Sequence, residues 1–463
     1  MGKYEKLLNN SLLFAIGNLG TKLLSFIMVP FYTRVLTTSD FGTSDLITTL
    51  VNLFTPIVTL SAIDAVFRFT MDKSNNPKQV LTNGFTISVI ALVIGIILFP
   101  FVEHYPHVLV IYALTFTGAV VSMMQEFARA VGRVKVFAVT GILIALVTVI
   151  SNVVLLFMLN MGIQGYLLSM IIAQVGGALY LALFLKVWRY IQLTTIDRKF
   201  MAQMLMYSIP LIPNTLSWWL SSAASRVFVV AFAGVAANGI FAVANKVPSL
   251  ITMFYSIFTQ AWQMSAVEEY DSAEGGVFYS AVFNATLRIL LIGVAGIIAL
   301  DKILVQMLAA PSYFTAWQFI PWLSLGVLYT SLASFLGTIY IAALKTRGVL
   351  ITTVMGATTN ILINLVLTPT FGALGASLGT MLSFLIVMGV RLRDTRRFMK
   401  IIVDWRMFIS GHLVIAAEIV VLYSFDGLLG QGILISLAIL MLLLNAGFVK
   451  QIIGNILRKK GID

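Results

Sequence analysis

Val277-Phe-Tyr-Ser-Ala-Val-Phe-Asn-Ala-Thr-Leu-Arg288-Ile-Leu-Leu-Ile-Gly-Val-Ala-Gly-Ile-Ile-Ala-Leu300 decides the fold class. The run is apolar enough, and at about 20 residues or more long enough, to cross about 30 Å of hydrocarbon as a helix. A single charge, Arg288, stands in its middle. Runs of this kind recur along the 463 residues, of which 59% are hydrophobic and 10% charged. That composition excludes a soluble protein. Lys22, Arg68, Arg226 and Lys246 are embedded in apolar runs in the same way. A cation at the centre of a spanning helix costs about 2.5–3.5 kcal/mol on insertion scales, so it normally faces a partner or water. The chain has no cysteine, which removes thiolate and disulfide chemistry, and its His104, His107 and His412 are too scattered for a metal site. No cofactor is expected. The first apolar run has no small-residue cleavage site before it or within it, so it reads as a retained helix.

Fourteen candidate spans start near residues 9, 41, 80, 108, 136, 165, 204, 238, 277, 315, 348, 373, 407 and 430. The expected fold is therefore all-α and polytopic. With the N-terminus in the cytoplasm, 23 of the 30 Lys and Arg fall on the cytoplasmic side and only Arg34 and Lys302 outside. This is the positive-inside bias, and with an even number of spans it puts both termini in the cytoplasm. It also accounts for the net charge of +12 without nucleic acid. The run from Arg391 to Arg406 reads as a stop-transfer signal lying on anionic headgroups.

An ungapped comparison of the halves finds weak internal similarity. At an offset of 197, Gly42 meets Gly239 and Phe31 meets Phe228; at 210, Lys135 meets Lys345, Gly162 meets Gly372 and Gly165 meets Gly375. Both offsets map span 1 onto span 7, which predicts two six-helix lobes related by a parallel repeat. The expected division is an N-lobe over 1–190, a C-lobe over 191–400, and a C-terminal helix pair over 401–463. Polar residues fall on helical stripes in the repeat-related spans: Asn18 and Lys22 in span 1; Asp45, Thr48, Asn52 and Thr55 in span 2; Asn214, Ser217 and Ser221 in span 7; Asn238, Asn245 and Ser249 in span 8. Serine and threonine alone are explained by helix packing. Stripes that include a charge point instead to a wet cavity.

Four stretches together resemble the polysaccharide-transport flippases of the multidrug/oligosaccharidyl-lipid/polysaccharide exporter superfamily, which handle O-antigen and capsule repeat units. They are Pro30-Phe-Tyr-Thr33-Arg34-Val-Leu36 leading into Asp40-Phe41-Gly42; Ser208-Ile-Pro210-Leu-Ile-Pro213-Asn214; Asn238-Gly239-Ile240-Phe241 with Asn245-Lys246 and Ala261-Trp262-Gln263; and Asn360, Asn364 and Pro369 followed by Gly372-Ala-Leu-Gly375-Ala376. One departure stands out, because relatives commonly carry an Asp before the span 7 arginine and this chain reads Ser225-Arg226.

The resemblance implies a non-enzymatic exporter in the cytoplasmic membrane. Its substrate would be an oligosaccharide on a polyprenyl diphosphate, moved to the outer leaflet by alternating access. A polysaccharide polymerase and chain-length proteins are the implied partners beside the lipid bilayer. A diphosphate needs cations to enter a membrane interior, with Lys as a point charge and Arg as a bidentate partner. Lys22, Arg226, Lys246 and Arg288 are the candidates, and Asn18, Asn52, Asn214 and Asn245 are candidates for sugar hydroxyls. Asp45, Glu126 and Glu418 are candidates to carry a coupling ion. Arg68 is set aside, because Asp64 four residues earlier reads as its structural partner.

Two rivals share parts of this pattern. A drug or small-solute antiporter of the same superfamily would prefer acidic cavity residues. A membrane glycosyltransferase or repeat-unit polymerase would need a sizeable outer loop with catalytic side chains, and here the outer loops hold little beyond Asp40, Glu103, Asp301 and Asp426.

Overall fold

The computed structural model describes residues 23–104, 106–270, 272, 274–343 and 345–450. The protein is a polytopic, all-helical membrane protein, with no strand among the described residues. Among the described residues eleven helices are long and apolar enough to cross a membrane, against the fourteen expected in the whole chain. Part of the difference comes from α14 (Thr346–Asp394), one of the eleven, which is two helices joined at Gly372, whose φ 57°, ψ −134° is not helical, where two spans were expected. The first expected span begins outside the described residues. The seventh is divided into α8 (Arg198–Ser208), a 3-10 turn, α9 (Ile212–Ser222) and α10 (Ala224–Ala233). Pro210 and Pro213 supply no backbone N–H there, so an unbroken ladder cannot form.

Contacts divide the chain into two compact units, Met1–Trp219 and Leu220–Asp463. In the first, α1 (Val29–Val35) leads into α2 (Thr38–Val58), whose start is a capping box: Asp40 N–H donates to Thr37 Oγ1 at 3.1 Å and Thr37 N–H to Asp40 Oδ2 at 3.3 Å. Asp40, expected as a bare loop acid, is thus a helix cap. α2 ends just before Leu60 and Ser61, both left-handed, and the chain restarts as α3 (Ala62–Met71). Then follow α4 (Pro77–Val102), α5 (Val108–Ala130), α6 (Val134–Asn152) and α7 (Gly162–Leu185). The core under α3 to α8 is built on Val66, Leu81, Met123, Phe127, Leu181 and Met204.

The second unit continues through α11 (Val235–Glu268), α12 (Gly275–Leu308), α13 (Ile320–Ala342), α14, α15 (Trp405–Ser424) and α16 (Gly427–Leu444). Trp262 is its hub. The indole stacks on Phe335 at 4.4 Å and 13°, meets Tyr279 edge-on at 4.9 Å, and donates to Thr338 Oγ1 at 2.9 Å. The Ala-Trp-Gln stretch that carries part of the resemblance is therefore, at its tryptophan, a packing element.

Each unit contains the same small device. In the first, Asn152 at the end of α6 donates to the Tyr32 hydroxyl at 3.0 Å and accepts from Ser169 at 2.8 Å, joining α1 and α7. In the second, Asn364 donates to Ser225 Oγ at 3.3 Å, which joins α14 to α10, and accepts from Thr368 at 3.0 Å. Gly162 and Gly372 then turn the chain at φ 53° and φ 57°, conformations that glycine adopts without strain. Gly165 and Gly375 follow at close approaches, where a Cβ would lie 3.1 Å from the Leu155 carbonyl and 2.2 Å from the Leu367 carbonyl. The first unit has two more residues between its Asn and its Gly, and here the helix winds into a π segment, Val153–Met158. A π turn is the ordinary way to absorb an inserted residue.

Candidate functional site

Arg226 and Lys246 lie on α10 and α11, which pack against each other in the second unit, and both side chains are half-buried. Ser225 explains how α10 holds Arg226. Its hydroxyl is buried, lies 2.9 Å from Thr380 Oγ1 and accepts from Asn364. Asn364 in turn bonds Asn360, and Asn360 Nδ2 reaches Ser383 Oγ at 3.2 Å. Ser225 is thus a neutral strut between α10 and the two arms of α14. Sequence periodicity does not reveal this network as such, although Asn360 and Asn364, spaced by four on one helix face, are its visible trace.

On α11, Asn238 is fully buried and Asn245 donates to the Phe241 carbonyl of its own helix at 2.8 Å. Ser249 returns to the Lys246 carbonyl. On α2, Thr48 and Thr55 likewise bond the Asp45 and Val51 carbonyls, while Asn52 is exposed and Asp45 half-buried. The hydroxyls of Thr48, Thr55 and Ser249 therefore satisfy themselves on their own backbones. Lys22 and Asn18 lie outside the described residues, as does the side chain of Asn214.

Arg288 has a counter-ion. Its guanidinium donates to Asp404 Oδ2 at 2.7 Å, just ahead of α15. Met407 N–H also donates to Asp404, and these contacts hold its carboxyl below the usual range, the backbone bond contributing most. Asn284 completes the junction, donating to the Ile402 carbonyl at 2.8 Å and accepting from Asp404 N–H at 2.8 Å.

The expected Asp64–Arg68 pair does not form among the described residues. The cation beside Asp64 is Arg129 of α5, which lies 2.6 Å from Glu126 and 4.1 Å above the Phe67 ring. α5 packs on α3, so a guanidinium delivered by a neighbouring helix takes the place of the local partner. Glu126 is ion-paired in the same cluster. Arg391 and Asp301 also sit elsewhere than expected. Arg391, placed in a cytoplasmic basic run, is buried inside the second unit, donating to Thr352 at 2.9 Å, Thr353 at 3.1 Å and the Ala333 carbonyl at 2.8 Å. Asp301, assigned to an outer loop, is fully buried in α12, and so is Glu418 in α15. The first two arise because α12 and α14 run a turn or more beyond the apolar segments that marked them.

Apolar helices long enough to span a membrane, with polar seams and embedded cations and no sizeable domain beside them among the described residues, make up both units. The chain belongs to the polysaccharide biosynthesis protein family, whose model matches residues 7–263. None of the curated proteins matches it. Among solved structures, it is similar to the lipid II flippase MurJ in an inward closed conformation, at 13% identity, with 96% of this chain and 99% of that one covered and a TM-score of 0.66. It is also similar to an inward-facing multidrug resistance MATE family transporter at 15% identity, 87% and 94% coverage and a TM-score of 0.62. A point mutant of the Vibrio cholerae MATE transporter VcmN gives 13% identity, 85% and 96% coverage and a TM-score of 0.58. The fold is one that these flippase and transporter structures share.

Proposed function

We propose that this protein is a flippase for a lipid-linked oligosaccharide, moving a polyprenyl-diphosphate-linked repeat unit from the cytoplasmic to the outer leaflet by alternating access. The observation that carries the reading is the pair of half-buried cations, Arg226 and Lys246, on adjoining helices of a chain in the polysaccharide biosynthesis family. With Lys22 they are the groups assigned to the diphosphate. Arg288 is left out, because Asp404 already answers its charge. Asn18, Asn52 and Asn214 are assigned to sugar hydroxyls; Asn245 joins them through its carbonyl oxygen and second N–H, its first N–H being engaged by the Phe241 carbonyl.

The reading includes the topology. Fourteen spans in two six-helix lobes, 1–190 and 191–400, plus a helix pair over 401–463, would place both termini in the cytoplasm. The matching Asn152–Gly162 and Asn364–Gly372 devices support the parallel repeat. A basic set suits an anionic substrate, which favours this reading over a drug antiporter. A polymerase and chain-length proteins would take up the product on the outer face.

Removing charge tests the assignment. Arg226→Ala and Lys246→Ala proteins that reach the membrane in normal amounts are expected to lose surface polysaccharide, since a charge-assisted contact to phosphate is worth about 1.5–3 kcal/mol. Normal polysaccharide from both variants would sink the assignment.

A further inference from the structure

Glu418 is fully buried in α15, and neither carboxyl oxygen has a hydrogen-bond partner among the described residues. Its neighbours along the helix, Val414, Ile415, Ile419 and Leu422, belong to one apolar core with Leu291, Val294 and Ile298 of α12 and Leu434 and Met441 of α16. An ionised carboxylate in such surroundings has nothing to replace its lost hydration. The protonated acid is the form this site can hold.

The contacts on either side show what keeps it closed. α12 and α15 run parallel, since Arg288 meets Asp404 at one end, Leu291 meets Gly411 further along, and Asp301 bears electrostatically on Tyr423 near the other end. A Cβ on Gly411 would come within 2.6 Å of Leu291 Cδ1, so the helices touch closely below Glu418. Beyond it, Lys302 bridges to Asp426 at 2.7 Å and Gln431 of α16 donates to the Ala299 carbonyl at 2.7 Å. The ionisable groups that α12 brings to this interface are Arg288, Asp301 and Lys302; α16 brings none, only Gln431. Asp301, also fully buried with both oxygens unpartnered, has Lys302 beside it. On α15 itself His412 is engaged with the Phe408 carbonyl at 2.7 Å and stacked against Tyr329 of α13 at 5.7 Å, and the Tyr423 hydroxyl lies 3.1 Å from Trp322 Nε1. Glu418 is the isolated acid of the set.

We infer that Glu418 is a proton-binding site, loaded while α15 is closed on α12 and emptied only when the two helices part, so that one proton is taken up and released per movement of the C-terminal helix pair. The step is acid dissociation alone: the carboxylate takes a proton from water on loading and returns it to water on release. Its use to drive export rests on the flippase reading, whereas proton binding does not.

Infrared spectroscopy of the full-length protein in liposomes tests the binding. The wild type is expected to show a protonated-carboxyl band at neutral pH that Glu418→Gln lacks. Identical carboxyl regions in the two proteins would overturn the site. Coupling is read from the equilibrium leaflet ratio of a fluorescent polyprenyl-diphosphate sugar under a gradient of about one pH unit. For one proton per cycle, the ratio in the wild type shifts about tenfold. Glu418→Gln is expected to lose that shift while still flipping, and Glu418→Asp to keep part of it. A variant that responds like the wild type overturns the coupling role. A wild type that flips but ignores the gradient also overturns it and leaves the flippase reading standing. A wild type that flips nothing removes the flippase reading and the coupling role with it, and the infrared comparison still decides the site.

Discussion

Asp404 shows how a single carboxylate fixes the meaning of a cation. Arg288 stands in the sequence as an energetic anomaly, and in the fold it is one half of a junction that pins α12 to the start of α15. Because the Met407 backbone bond first, and Arg288 after it, hold the folded Asp404 carboxyl below its usual value, the junction stabilises fully above the unfolded carboxyl range of about 4 and loses its contribution as pH falls through the lower, folded value. Melting of the purified protein is therefore expected to weaken as pH drops below about 4, and Asp404→Asn to flatten that part of the profile. A profile unchanged by the substitution would dismiss the junction as a pH-dependent contributor. Asn152 makes a second residue-scale prediction. Asn152→Ala leaves the Tyr32 and Ser169 hydroxyls without their buried partner, a cost of about 1–3 kcal/mol. Thr48→Val, which removes only a bond to its own helix, is expected to change melting far less. Equal shifts for the two would refute the distinction between a bond that joins helices and one that stays within a helix.

Helices are the most legible part of the sequence, because about 20 apolar residues in a row leave the backbone little other choice in lipid. What periodicity does not reveal is where helices bend or overrun. Ser61, left-handed, breaks the second span where the local sequence carries no glycine. Charges near span ends are misplaced for the same reason: Asp301 and Arg391 extend their helices into the protein interior, and burial there depends on neighbours far away in the chain. Arg129 outcompetes Arg68 for Asp64 by tertiary delivery, which a spacing of four cannot anticipate. The Gly-x-x-Gly turns, in contrast, are readable and carry a prediction. Gly375→Ala sets a Cβ 2.2 Å from the Leu367 carbonyl and is expected to destabilise the protein by roughly 1–3 kcal/mol in a thermal or denaturant assay. Gly296→Ala meets nothing within 4 Å and is expected to be neutral or stabilising. Comparable losses in both would rule out the close turn as the cause.

At the scale of the whole molecule, the fold is shared with a lipid II flippase and with MATE transporters, and the proposed choice between such roles rests on charge. The cations on polar-striped helices are visible from the sequence because cations are rare in spans. Their sorting is not, since it takes the structure to show Arg288 answered by Asp404 and Ser225 built into a neutral strut beside Arg226. The direct measurement is flipping of a fluorescent polyprenyl-diphosphate sugar by the purified protein in proteoliposomes. The account predicts transfer between leaflets by the wild type and a loss of about tenfold or more in Arg226→Ala and Lys246→Ala, from one charge-assisted phosphate contact each. A wild type that leaves the lipid in its starting leaflet, or charge-removed variants that flip it at the wild-type rate, would contradict it.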